Sequence, residues 1–216
     1  MTLSGTSRAV IVVVLALAAL TAAVATFMLP PDRQLGALVR LVVFHGAYTW
    51  VNMGLFALAG VVSLVYLVSH SGLIVAWATA LRRLAIIAWI GNTGLGMLAA
   101  YLAWGSVNPA EPRLRATFIV LFLSGVVLGI DYFAARDRLS AVVDIGMAAA
   151  LLWLILGARN YVHPESPVMN SGWEIKGPFF AIVGAVAVVS LGLSALLASR
   201  VTAERAEASA EPTSVA

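Results

Sequence analysis

Six apolar runs dominate this chain, at roughly residues 9–29, 47–69, 83–104, 116–134, 140–158 and 177–199. A helix needs about 20 mostly apolar residues to cross a bilayer, where each backbone N–H and C=O must find its partner inside the segment. The pattern predicts an all-α integral membrane protein, a six-transmembrane-helix bundle over residues 1–200. Composition agrees. Of 216 residues, 62% are hydrophobic and 11% charged, too few polar side chains to cover a water-soluble surface. The first run follows Arg8 as a signal peptide would. It is long for an h-region and lacks a small-residue cleavage site, so it reads as a retained anchor. The tail, 201–216, is Ala, Glu, Ser, Thr and Pro for the most part, a composition that predicts disorder.

An even number of spans puts both termini on one side. The connections near 30–46, 104–115 and 159–176 then lie together on the other. Arg8, Arg82, Arg83, Arg136, Arg138, Arg200 and Arg205 fall on the side of the termini, seven residues against Arg33, Arg40, Arg113, Arg115, Arg159 and Lys176 opposite. Positive charge favours the cytoplasm, most strongly in short connections. The pairs Arg82/Arg83 and Arg136/Arg138 therefore lean the reading towards cytoplasmic termini in a cell (inner) membrane. The net charge of +3 is spread over loops, which leaves no nucleic-acid footprint. The absence of cysteine excludes disulfides, thiolate metal sites and covalent C-x-x-C-H haem attachment. The chain contains no P-loop, H-E-x-x-H or G-x-S-x-G motif and no internal repeat.

Three histidines are present. His70 ends the second run among Ser69, Ser71 and Gly72 and reads as a solvated loop residue. His45 and His163 share the opposite face by parity, and a haem iron takes two axial imidazoles; the plainer reading of each is an interfacial histidine. If the second helix includes His45, then Tyr48 and Asn52 continue its face. That stripe either lines a cavity or packs a neighbouring helix with Asn52 as polar glue. Trp50 suits an aromatic belt. In "WGSVNPAEPRLR", Asn108, Pro109 and Pro112 break the helix after Trp104 and Gly105. Arg113 and Arg115 either flank the membrane or pair a carboxylate such as a haem propionate. Asn92 lies in "GNTGLG", whose Gly91, Gly94 and Gly96 suit close helix approach. Asp144, in "AVVDIGM", is a proton site, a partner for Arg82 or Arg83, or an interfacial residue, and the last two are preferred because a lone acid makes a poor relay.

The order of these features resembles the haem-handling membrane proteins of cytochrome c maturation, the CcmC and CcsA type, over roughly residues 36–199. "HGAYTWVNM" is similar to the family's His-x-x-x-x-Trp-x-x-Met stretch. "WGSVNPAEPRL" aligns without gaps on its Trp-Gly-Thr-Trp-Trp-x-Trp-Asp-x-Arg-Leu segment. Trp104, Gly105, Arg113 and Leu114 match, while Val107, Asn108 and Ala110 stand where three tryptophans are found in the family. "YVHPESPVMNSG" supplies His163 in place of the family's second outer-loop histidine. The resemblance implies a non-covalent, bis-histidine haem b on the extracytoplasmic face. His45 and His163 would ligate its iron, Trp50 and Trp104 would contact the ring, and Arg113 or Arg115 would neutralise a propionate. The expected function is holding or passing haem in cytochrome c biogenesis alongside other maturation proteins, which needs binding and not enzymatic bond-making. Two alternatives stand beside it: a b-type electron-transfer or anchor subunit of a membrane respiratory complex, and a haem-free scaffold or small transporter in which Asp144 and Asn92 carry the function.

Overall fold

In the computed structural model, residues 3–158 and 168–210 are described. Each apolar run is a helix: α1 (Gly5–Met28), α2 (Val39–Ser69), α3 (Gly72–Trp104), α4 (Pro112–Ala134), α5 (Asp137–Gly157) and α6 (Trp173–Ala210). All six are long and apolar enough to span a membrane. Length divides them. The 21 residues of α5 rise about 32 Å, close to the ~30 Å hydrocarbon core. The 33 of α3 and 38 of α6 must project beyond it.

Two boundaries differ from the hydropathy reading in ways that matter. α2 starts at Val39, so His45 lies inside a helix. α3 starts at Gly72, so the α2–α3 connection is only His70 and Ser71, with His70 turned into the left-handed region at φ 53°. The Arg82/Arg83 pair looked like a span border because charges usually end spans, yet the apolar stretch before it continues the helix. Arg82 therefore sits inside α3, buried, while Arg83 is exposed. With Arg82 removed from the count, Arg8, Arg83, Arg136, Arg138, Arg200 and Arg205 face six basic residues opposite. The charge rule then favours neither orientation.

α2 is the central element, packed against α3, α5 and α6; α1 lies along α6, and α4 along α5 and α3. Lipid tails are as apolar as leucine, so helices in a membrane associate through close packing of small residues. α1 buries Ala18, Ala22 and Ala25, and Leu15 of α1 reaches the notch left by Gly192 of α6. Near one end of this pair the Leu3 N–H donates to Ser199 Oγ at 3.2 Å, so α1 and α6 run antiparallel, and the start of α1 lies at the same end of the bundle as the C-terminal part of α6. Trp89 is fully buried at the centre. Its indole N–H donates to the Thr117 carbonyl of α4 at 3.2 Å, and its ring meets Phe56 of α2 edge-on.

α6 continues to Ala210, through the first ten residues of the tail expected to be disordered, while 211–216 lie outside the described residues. Arg205 grips Asp137 at the start of α5 with two bonds of 2.9 and 2.6 Å. Both side chains are about 40% exposed, and a pair so open contributes under about 1 kcal/mol. Asp137→Asn should speed amide exchange in residues 201–210 while leaving the thermal midpoint of the bundle nearly unchanged.

Candidate functional site

The far end of the bundle, away from the chain termini, collects most of the residues singled out above. On α2, His45, Tyr48, Thr49 and Asn52 follow helical spacing along one face, and that face meets α3. The His45 ring lies on Gly96: a Cβ there would come within 2.7 Å of Cε1 and 3.0 Å of Nε2. Tyr48 Oη lies 3.6 Å from the equivalent point at Gly91. Thr49 Oγ1 donates to Asn92 Oδ1 at 3.1 Å, and Asn52 Nδ2 to the Ala88 carbonyl at 3.2 Å. Of the glycines in "GNTGLG", Gly96 thus admits the His45 ring, Gly91 stands in ordinary contact with Tyr48 and Gly94 faces nothing within 4 Å; Asn52 acts as interhelical glue. Trp50 leaves α2 elsewhere, half exposed and edge-to-face on Phe179 of α6 at 5.4 Å.

Trp104 closes α3 with part of its indole exposed. Gly105 caps it at φ 75°, the left-handed value that favours glycine, with its N–H on the Tyr101 carbonyl at 2.8 Å. α4 opens on Pro112, whose missing N–H costs nothing at a first helical position. Glu111 is buried just before it, while Arg113 and Arg115 are exposed. Gly96 precedes Trp104 by eight residues, roughly 12 Å of helix rise, so the imidazole lies deeper than the loop. Arg40, another basic residue of this end, is structural: Nε donates to the Leu29 carbonyl at 3.2 Å and the guanidinium covers the Phe27 ring. Asp32 shapes the same connection. Backbone N–H groups of Leu35 and Gln34, at 2.9 and 2.8 Å, hold its carboxyl below the usual carboxylate range. His163 and Arg159 lie outside the described residues.

The second concentration of chemistry lies towards the termini. Arg82 is about three turns into α3 and donates from Nη1 to Asp144 Oδ2 of α5 at 3.0 Å and from Nη2 to Asp131 Oδ1 of α4 at 2.6 Å. Ser63 of α2 donates to Asp144 Oδ2 and Ser140 of α5 to Asp131 Oδ1, both at 2.8 Å. Four helices meet in this cluster. Of the roles that the sequence leaves open for Asp144, the partnership with Arg82 is the one seen, and Arg83 takes no part in it. Sequence reasoning misses Asp131. It stands three residues from the end of α4 and looks solvated; the one signal for it is its short distance along the chain from Ser140 across a tight helix hairpin. Asn92 lies ten residues further along α3 than Arg82, roughly 15 Å of helix rise, and bonds Thr49 of α2 instead.

Fold and sites together define a multi-pass membrane protein with a histidine-bearing end and a buried charge cluster. No protein-family model and no curated protein matches the chain.

Proposed function

We propose that this is a haem-binding membrane protein of cytochrome c biogenesis, holding haem b non-covalently at the bundle end of His45, Trp104, Arg113 and Arg115. The observation that carries the reading is the convergence of three separate elements, the first turns of α2, the end of α3 and the start of α4, on that end. The described residues at that end supply side-chain types that such a group takes. His45 is half-buried with its Nε2 edge packed against Gly96 of α3, so ligation would need the ring to turn from that contact, and two exposed guanidiniums stand at the same end of the bundle. Bound haem would supply an iron that takes imidazole ligands. For the chain's part, His45 offers one imidazole and His163, from the sequence pattern, the other. Trp104, with Trp50 as the resemblance implies, gives aromatic surface to the macrocycle, and Arg113 or Arg115 answers a propionate. This reading puts the site on the extracytoplasmic face of the cell membrane, with maturation factors as partners.

Absorption spectra of the purified protein, oxidised and reduced, test the proposal. Wild type should show a six-coordinate low-spin haem b, lost or turned high-spin in His45→Ala and in His163→Ala. A colourless wild type after growth with ample haem, or a haem indifferent to both substitutions, overturns it. The scaffold or transporter reading has one observation in its favour, the buried cluster of Arg82, Asp131 and Asp144, and predicts that colourless protein. An electron-transfer subunit asks for a second haem near the termini. There, His70 stands exposed against Tyr66 at 6.2 Å, and no other described histidine accompanies it.

A further inference from the structure

We propose that the Arg82–Asp131–Asp144 cluster is a proton-binding site, with the proton carried on Oδ1 of Asp144. The proposal does not depend on haem.

The argument begins with depth and charge. α5 barely exceeds the hydrocarbon thickness, and Asp144 lies seven residues from its start, about 10 Å inside the bundle end. The Asp144 side chain is 2% exposed and that of Arg82 4%. Two carboxylates and one guanidinium carry a net charge of −1 when all are ionised, and an uncompensated charge at this depth is strongly unfavourable. One proton brings the cluster to neutrality. A metal cation is a poor substitute. The guanidinium stands between the carboxylates and repels it, hard cations ask for about six oxygen ligands, and no metal-holding group of side chains occurs among the described residues.

Hydrogen bonds say which oxygen takes the proton. On Asp144 both donors, Ser63 Oγ and Arg82 Nη1, reach Oδ2, leaving Oδ1 for an O–H bond. Asp131 has its Oδ1 held by Arg82 Nη2 and Ser140 Oγ and is 23% exposed, the better situation for a lasting carboxylate. A second observation points the same way. Arg82 Nε is buried and has no acceptor among the described residues, although the whole residue is only 3% exposed. The cluster thus keeps one buried donor in reserve for an acceptor gained when the proton leaves. The step is a simple exchange: an O–H bond forms at Oδ1 as a hydronium ion at the bundle end becomes water, and release reverses it.

The surrounding charges leave this balance intact. Asp137 of α5 and Arg205 of α6 lie within electrostatic reach of the cluster, and Tyr66 of α2 within reach of Arg205, but Asp137 and Arg205 neutralise each other, and Arg83 faces outward. On the other side, Phe56 and Trp89 meet edge-on, centroids 6.1 Å apart, between the cluster and the level of Asn52 and Asn92. This apolar plug limits exchange to the end that holds the chain termini, through Asp131 and Ser140.

Infrared spectroscopy of the full chain in lipid nanodiscs, across the pH range in which it stays folded, tests the site. Wild type should show the carbonyl stretch of one protonated carboxyl group, shifted by deuterium exchange. Asp144→Asn should abolish it, and Asp137→Asn should retain it. Because asparagine mimics a protonated carboxyl, Asp144→Asn should also unfold at the wild-type temperature. A wild type without the band at every such pH overturns the proposal, as does a band that survives Asp144→Asn. An Asp144→Asn protein that fails to fold overturns it too, since the fold would then need the ionised carboxylate.

Discussion

Arg82→Met should cost the protein about 3–5 kcal/mol, the usual penalty for removing one partner of a buried ion pair, and so a large part of the roughly 5–15 kcal/mol typical of a folded domain. The loss comes from what remains. Asp131 and Asp144 keep their serine donors but lose the guanidinium that joins α3 to α4 and α5. The expected result is a sharply lower thermal midpoint in detergent, or failure to yield monodisperse protein. Neutralising the rest of the cluster should recover most of it, because replacing a whole buried ionic group with uncharged residues is often close to neutral. Arg82→Met combined with Asp131→Asn and Asp144→Asn should therefore be far more stable than Arg82→Met alone. Arg83→Met, one residue away and exposed, should stay within about 0.5 kcal/mol of wild type. Equal effects at the two arginines would rule out the buried pairing as the cause.

Gly60→Val should be the other severe change, at about 1–3 kcal/mol for overpacking. A Cβ at Gly60 meets Ala148 Cβ at 2.8 Å, with Asp144 O at 3.5 Å and Ile145 Cα at 3.6 Å behind it. None of these atoms is the tip of a flexible side chain, so α2 and α5 must separate. Ser63 is less than one turn further along α2, and separation also stretches its 2.8 Å bond to Asp144. Ala148→Gly in the same chain should restore part of the midpoint. Gly54→Ala and Gly94→Ala are the controls. Among the described residues, nothing lies within 4 Å of a Cβ at either position, and alanine is the better helix former, so neither should destabilise the bundle.

The sequence was most legible where one physical constraint acted alone. Apolar runs of membrane-spanning length give helices whatever their neighbours do, because a bilayer offers no other partner to the backbone. Helical spacing likewise placed His45, Tyr48 and Asn52 on one face once α2 was known to include His45. Side-chain charge misled where burial reversed its usual meaning. Arg82 read as a loop residue because an arginine inside a span is rare, and what permits it is a pair of carboxylates from two other helices. Asp131 was overlooked for the same reason, since near the end of α4 it looks like any interfacial acid until Arg82 and Ser140 arrive from α3 and α5.

The sequence by itself determined the six apolar helices of membrane-spanning length and, once α2 includes His45, its polar face. These follow from hydropathy and helical periodicity, which are properties of single segments. Only the tertiary structure decided that α2 stands at the centre, that His45 rests on Gly96, and that Arg82, Asp131, Asp144, Ser63 and Ser140 form one cluster. Those depend on which helices touch. In a membrane that choice is made by close packing of small residues and by the few polar groups that must find partners away from water, and no single helix carries that information.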